Sequence, residues 1–139
     1  MTSIRDINEL LPTVREAYLR GKAKLDSLKI DTVVTCTYRT AEQQAELYAQ
    51  GRTTKGPKVT NAKPGQSFHE YRVAFDIYPI VNGKIDFAGK YIDIWKKMAE
   101  CFKLEGFEWA GEWKTFREMP HFQMTKGNPL SYFQKGGKI

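Results

Sequence analysis

The chain is poor in several of the residues that most often carry chemistry. Its 139 residues include two histidines and two cysteines. Cys36 and Cys101 lie far apart and form no CxxC or CxxH pattern, so two buried free thiols are expected and no disulfide network is needed for stability. No apolar run approaches the ~20 residues of a membrane span. The first residues, Met1-Thr-Ser-Ile-Arg-Asp-Ile-Asn-Glu9, lack the apolar stretch of a signal peptide. Synthesis in the cytoplasm is therefore expected, and action outside it needs a separate route of release. There is no internal repeat and no low-complexity segment. Nor is there a basic block: the net charge of +6 is scattered along the chain. That charge favours a polyanion, whether nucleic acid, an anionic wall polymer or a membrane surface, without choosing among them. No nucleic-acid recognition motif is present and the aromatics read as core, so specific nucleic-acid binding is not expected.

What is present suits one folded domain over 1–139. Hydrophobic residues make up 41% of the chain and aromatics 13%, enough for a core. Ser3 to Leu10 reads as a short helix capped by Ser3. Pro12 opens a second helix that runs to about Leu28. The β-branched and aromatic run Asp31 to Tyr38 reads as a strand. Thr40 caps a helix from Ala41 to about Gln50, with Ala45, Leu47 and Tyr48 inward. Arg52 to Gln66 is rich in glycine, proline and basic residues and reads as a mobile loop. Val73 to Val81 reads as a central strand and Asn82-Gly83 as a hairpin turn returning through Lys84 to Phe87. Ala88 to about Leu104 is amphipathic, with Tyr91, Ile94, Trp95, Met98, Ala99, Phe102 and Leu104 on its apolar stripe. Phe107 to Trp109 and His121 to Met124 read as short strands around a loop, and the tail after Gly127 is expected to fray. Helices lead and strands mix with helices later, which predicts an α+β class with an antiparallel sheet.

Both histidines stand near acids. His69 precedes Asp76 by seven residues, and side chains seven apart on a straight strand face opposite ways. His69 therefore belongs on a turn entering the strand that holds Asp76. A carboxylate in an apolar run needs a partner, either a salt bridge or a metal ion. His121 follows Pro120, and Glu118 lies three residues before it, within reach of the same small volume in a turn. Two histidines, one aspartate and a free glutamate are the parts of an open, catalytic zinc site. Spacing alone leaves that reading and a pair of structural histidines both open.

The pattern Ser67-x-His69-x-x-x-x-Ala74-x-Asp76, with Glu118-x-x-His121 downstream, resembles the zinc signature of the D-alanyl-D-alanine peptidase superfamily. Tyr38-Arg39-Thr40-x-x-x-Gln44-x-x-Leu47-Tyr48-x-x-Gly51-Arg52-Thr53 is similar, more narrowly, to the L-alanyl-D-glutamate peptidases, which are peptidoglycan endopeptidases of phage endolysins and bacterial wall turnover. Gly111-x-Trp113 and Pro120-His121-Phe122 fit the same group, and the resemblance runs from about Leu11 to Gln123. It implies the small α+β zinc-peptidase fold shared with the hedgehog signalling domain. It implies one catalytic zinc ion held by His69, Asp76 and His121, with Glu118 as acid/base and Arg39 beside the scissile carbonyl. Gln44 and Ser67 match substrate-orienting positions.

The reaction so implied is hydrolysis of the L-Ala–D-Glu amide in wall stem peptides. A D-Ala-D-Ala carboxypeptidase or dipeptidase would share every zinc-site residue, and a non-catalytic zinc module that binds wall is the remaining alternative. No wall-binding domain is seen beside the peptidase domain. A monomer is expected, acting on the wall or periplasm after release, its basic surface meeting an anionic envelope. Arg72 departs from the family pattern, which has glycine there. Glycine would suit a turn with positive φ. Arginine implies either a different turn or a strained one, and could place a cation near the groove.

Overall fold

A computed structural model describes residues 2–139. The expected first helix is not formed. In the segment between residues 2 and 11 the regular structure is a single 3-10 turn, Ile7–Glu9, and Asp6 rather than Ser3 caps it by accepting from Asn8 N at 2.9 Å. Its carbonyls are used elsewhere: Ile4 O accepts from Thr37 N at 2.7 Å, and Asp6 O from Thr37 Oγ1 at 2.9 Å. The segment is thus a strap tied to the end of the first strand.

The elements that follow are α1 (Pro12–Ser27), β1 (Asp31–Cys36), α2 (Ala41–Ala49), β2 (Ala74–Val81), β3 (Lys84–Ile85), α3 (Ile92–Lys103), β4 (Glu108–Trp109), β5 (His121–Gln123) and α4 (Leu130–Gln134). The sheet runs β1-β2-β5-β4, with β3 pairing β2. Every pairing is antiparallel, as the α+β reading expects. β2 is central, between β1 and β5. Phe75 and Ile77 point into the core at 0% exposure. Asp76, between them, takes the opposite face by the strand's period of two.

α1 and α3 pack across the core. A Cβ on Gly21 would lie 2.5 Å from Phe102 Cδ1, so glycine inside α1 sets the approach of the two helices. Trp95, Met98, Ala99 and Phe102 are buried as expected, whereas Leu104 is exposed, one residue past the helix end. The helix also starts later than its periodicity suggests. The Asp86 carboxylate accepts from Lys90 N, Tyr91 N and Trp95 Nε1 at 2.9–3.0 Å, which holds the preceding turn. Burial pushes this carboxyl up, yet the N–H donors outweigh burial and hold it below its ordinary value.

α2 has Thr40 as its cap, in a reciprocal arrangement with Gln43. Its buried residue is Gln44, and Ala45 is exposed. The tail, expected to fray, instead forms α4. Phe133 is buried against Phe68 and Tyr71, and Gln134 Nε2 donates to Gly65 O at 2.9 Å. This helix braces the turn that carries His69. Both cysteines are free and buried.

Candidate metal centre

The turn before β2 is a 3-10 helix, Phe68–Tyr71. Ser67 Oγ accepts from His69 N at 3.3 Å, and Glu70 Oε2 accepts from Ser67 N at 3.0 Å. These bonds fix His69 at the entrance of the strand, where parity required it. The turn closes at Arg72 with φ 64, in the left-handed region. The arginine accepts that conformation with compensating contacts. Its guanidinium lies 3.8 Å from the Tyr38 ring centroid, donates to Glu9 O at 3.0 Å and pairs with the Glu9 carboxylate. It faces the N-terminal strap and is not among the residues that line the groove.

Sheet register does the rest. Asp76 pairs directly with His121 across β2 and β5, and with Cys36 across β1 and β2. His69 Nε2 lies 3.1 Å from Asp76 Oδ1, His121 Nδ1 lies 3.2 Å from the same oxygen, and the two nitrogens are 3.2 Å apart. The other nitrogen of each ring is already bonded. His69 Nδ1 donates to Thr37 O at 2.8 Å, and His121 Nε2 donates to Gln123 Oε1 at 2.9 Å. Each ring therefore turns a lone pair toward the carboxylate. Three acceptors at such separations repel one another unless a positive charge sits among them. A proton supplies that charge as well as a metal does: burial opposes charge on both His69 and Asp76, but their attraction outweighs it, raising His69 to about 10 and holding Asp76 well below the carboxylate range, so a metal ion must displace that proton to engage the His69 lone pair.

The donor set fits zinc. A metal bound tetrahedrally at ~2.0–2.1 Å holds its ligand atoms roughly 3.3 Å apart, close to the three separations found. Cys36 Sγ, also within 4.8 Å of the His69 and Asp76 ligand atoms, stands elsewhere. It is 3.7 Å from His69 Nδ1, the nitrogen already engaged by Thr37, and accepts from Arg39 Nη2 at 3.5 Å. It supports the ring from behind.

A cavity of about 710 Å³ opens over the triangle, and Arg39, Ser67, Trp113, Glu118 and Gln123 are among its lining residues. The expected turn joins Glu118 to His121, with His121 N donating to Glu118 O at 3.3 Å. The Glu118 side chain is exposed and accepts no hydrogen bond among the described residues. Arg39 donates from Nη1 to Gln44 Oε1 at 3.0 Å, and Gln44 Nε2 donates to Ala62 O at 2.7 Å. Gln44 is fully buried and does not line the cavity. It orients Arg39 and pins the 52–66 loop without reaching the open space. Sequence reasoning missed Gln123 and the Thr37 carbonyl. A backbone carbonyl leaves no trace in sequence, but Gln123 does: it lies two residues after His121 in an apolar strand, on the same face.

The chain is 37% identical over 132 residues to the peptidoglycan L-alanyl-D-glutamate endopeptidase CwlK of Bacillus subtilis, an alignment that covers 84% of this chain and 74% of that protein. The chain belongs to the zinc D-Ala-D-Ala peptidase superfamily, among the L-alanyl-D-glutamate peptidases. Residues 60–124 match the family model described as D-alanyl-D-alanine carboxypeptidase. The L-alanyl-D-glutamate peptidase of a Listeria phage is 28% identical over 135 residues, covering 96% of this chain and 45% of the phage protein. Among solved structures, the L-Ala D-Glu endopeptidase ChiX of Serratia marcescens shares the fold at a TM-score of 0.63 and 21% identity, over 86% of this chain and 83% of that one. A vancomycin-resistance D,D-dipeptidase shares it at a TM-score of 0.63 and 19% identity, over 91% and 59%. Among the described residues no helix is long and apolar enough to cross a membrane.

Proposed function

We propose that this superfamily member is a zinc-dependent endopeptidase that hydrolyses the L-Ala–D-Glu amide of peptidoglycan stem peptides and so lyses the wall. The observation that carries the reading is the triangle of His69 Nε2, Asp76 Oδ1 and His121 Nδ1, open to a cavity that also holds Glu118. These three atoms would hold one zinc ion, which when bound activates water and polarises the scissile carbonyl. Thr37 O and Gln123 Oε1 keep both imidazoles in the ligating tautomer. Glu118 takes a proton from the attacking water and passes it to the departing amine of D-glutamate. Arg39, fixed by Gln44 and Cys36, offers positive charge to the carbonyl oxygen as it becomes negative. Ser67 acts through the backbone, holding the turn of His69, and its position on the cavity wall suits a further contact with the peptide.

The name of the matching family model favours a second reading, release of terminal D-alanine. The identity to an L-alanyl-D-glutamate endopeptidase across most of the chain favours the first. Digestion of defined peptidoglycan, followed by mass spectrometry, separates them. The endopeptidase frees whole stem peptides beginning at D-glutamate, and a chelator stops their release. Free D-alanine as the product, or chelator-resistant cleavage, would overturn the assignment. The net charge of +6 suits an anionic envelope.

A further inference from the structure

Five charged side chains line the cavity: Asp76, Glu118, Arg39, Lys58 and Arg117. Asp76 is engaged by both histidines, and Arg39 by Gln44 and Cys36. Lys58 and Arg117 differ. Among the described residues neither forms an ion pair, and the Lys58 ammonium makes no hydrogen bond. Arg117 Nε donates to Trp113 O at 3.2 Å, which steadies the guanidinium and leaves its terminal N–H groups unbonded. The two cations come from different walls, and both walls are tethered. Gln50 Nε2 donates to Pro57 O at 3.0 Å beside Lys58, and Trp109 Nε1 donates to Met119 O at 2.7 Å near Arg117.

We propose that Lys58 and Arg117 form a carboxylate subsite that selects stem peptides whose D-glutamyl residue keeps a free α-carboxylate over those in which it is a carboxamide. The proposal rests on the endopeptidase reading above. In the stem peptide the chain continues through the γ-carboxyl of D-glutamate. Its α-carboxyl is therefore a side group, two bonds from the nitrogen that leaves. Whatever seats the scissile amide over the metal triangle brings that group into the same cavity. A carboxylate there accepts from a guanidinium fork and an ammonium at once. A carboxamide carries no charge, and only its oxygen can accept; where its oxygen meets one cation, its NH2 group meets the other with donor against donor.

The test uses the zinc-loaded full chain and two synthetic peptides that differ only in D-glutamate against D-isoglutamine. The wild type should show a kcat/KM about tenfold higher for the free carboxylate, the scale of a hydrogen bond to a charged group. In the double variant Lys58→Gln, Arg117→Gln that ratio should fall to near one. Lys58→Arg with Arg117→Lys, which keeps both charges, should retain a preference. Zinc content and far-UV circular dichroism confirm that each variant is folded. A wild-type ratio near one overturns the subsite while leaving the peptidase intact. So does a double variant that loses rate equally on both peptides, since general attraction to the wall would do that. Cleavage of neither peptide by the wild type overturns the endopeptidase reading itself, and the subsite with it.

Discussion

The floor of the cavity is built from the sheet and one capped turn, whereas its walls, over 52–66 and 110–120, carry almost no regular structure. On the floor, cross-strand register places Asp76 opposite His121, and each ligand atom has a second bonded partner or a fixed backbone behind it. A slip of one residue would turn Asp76 into the core, so register and chemistry are inseparable there. The walls are held by a handful of side-chain to backbone bonds. Arg52 reaches Tyr48 O and Thr60 O, and Gln44 reaches Ala62 O. Phe116 sits at the edge of the cavity with φ 51 and 70% of its surface exposed. On the proposed function the two regions divide the labour: the floor would supply the bond-breaking chemistry, and the walls would choose the peptide that reaches it.

That division can be broken at its strongest point first. Gln123→Ala removes the acceptor that fixes His121 in its ligating tautomer. Zinc affinity should fall about 10–100-fold, read by competition with a chelating dye. Turnover at saturating zinc should change far less than affinity does. Unchanged affinity would show that the floor does not depend on this bond. A smaller effect is expected at the seam between floor and wall. Gln44→Ala leaves the Arg39 guanidinium and the Ala62 carbonyl each short of a partner. It should cost about 1–3 kcal/mol in urea unfolding and lower kcat/KM with zinc content unchanged. If stability and turnover both stay at wild-type levels, the wall is not anchored through Gln44.

Sequence reached the floor more readily than the walls, for a physical reason. The parity of a strand separates His69 from Asp76, and the i, i+3 reach of a turn joins Glu118 to His121. Both rules are local, and both are met. Partners that come from distant backbone, such as Thr37 O behind His69, have no local rule. Ala45 was misleading because helix periodicity assigns buried positions to apolar residues, and Ala45 is exposed. Here the buried position goes to an amide that satisfies Arg39 and Ala62 together. The tail was misjudged in the same way: its polar, glycine-rich composition hides Phe133, which docks it against the His69 turn with Gln134 bonded beside it. At Arg72 sequence could pose the question of a positive φ but not answer it. The answer depends on Tyr38 and Glu9, which the fold brings alongside.

The central claim is that the triangle holds zinc while Glu118 moves the proton, two tasks assigned to different side chains. Zinc stoichiometry and turnover on purified peptidoglycan, measured together for Glu118→Ala with His69→Ala as reference, test it most directly. Glu118→Ala should keep one zinc per chain and lose about 10²–10⁴ in rate, whereas His69→Ala should lose both metal and activity. Near-normal turnover by Glu118→Ala, or stoichiometric zinc in His69→Ala, would contradict the account.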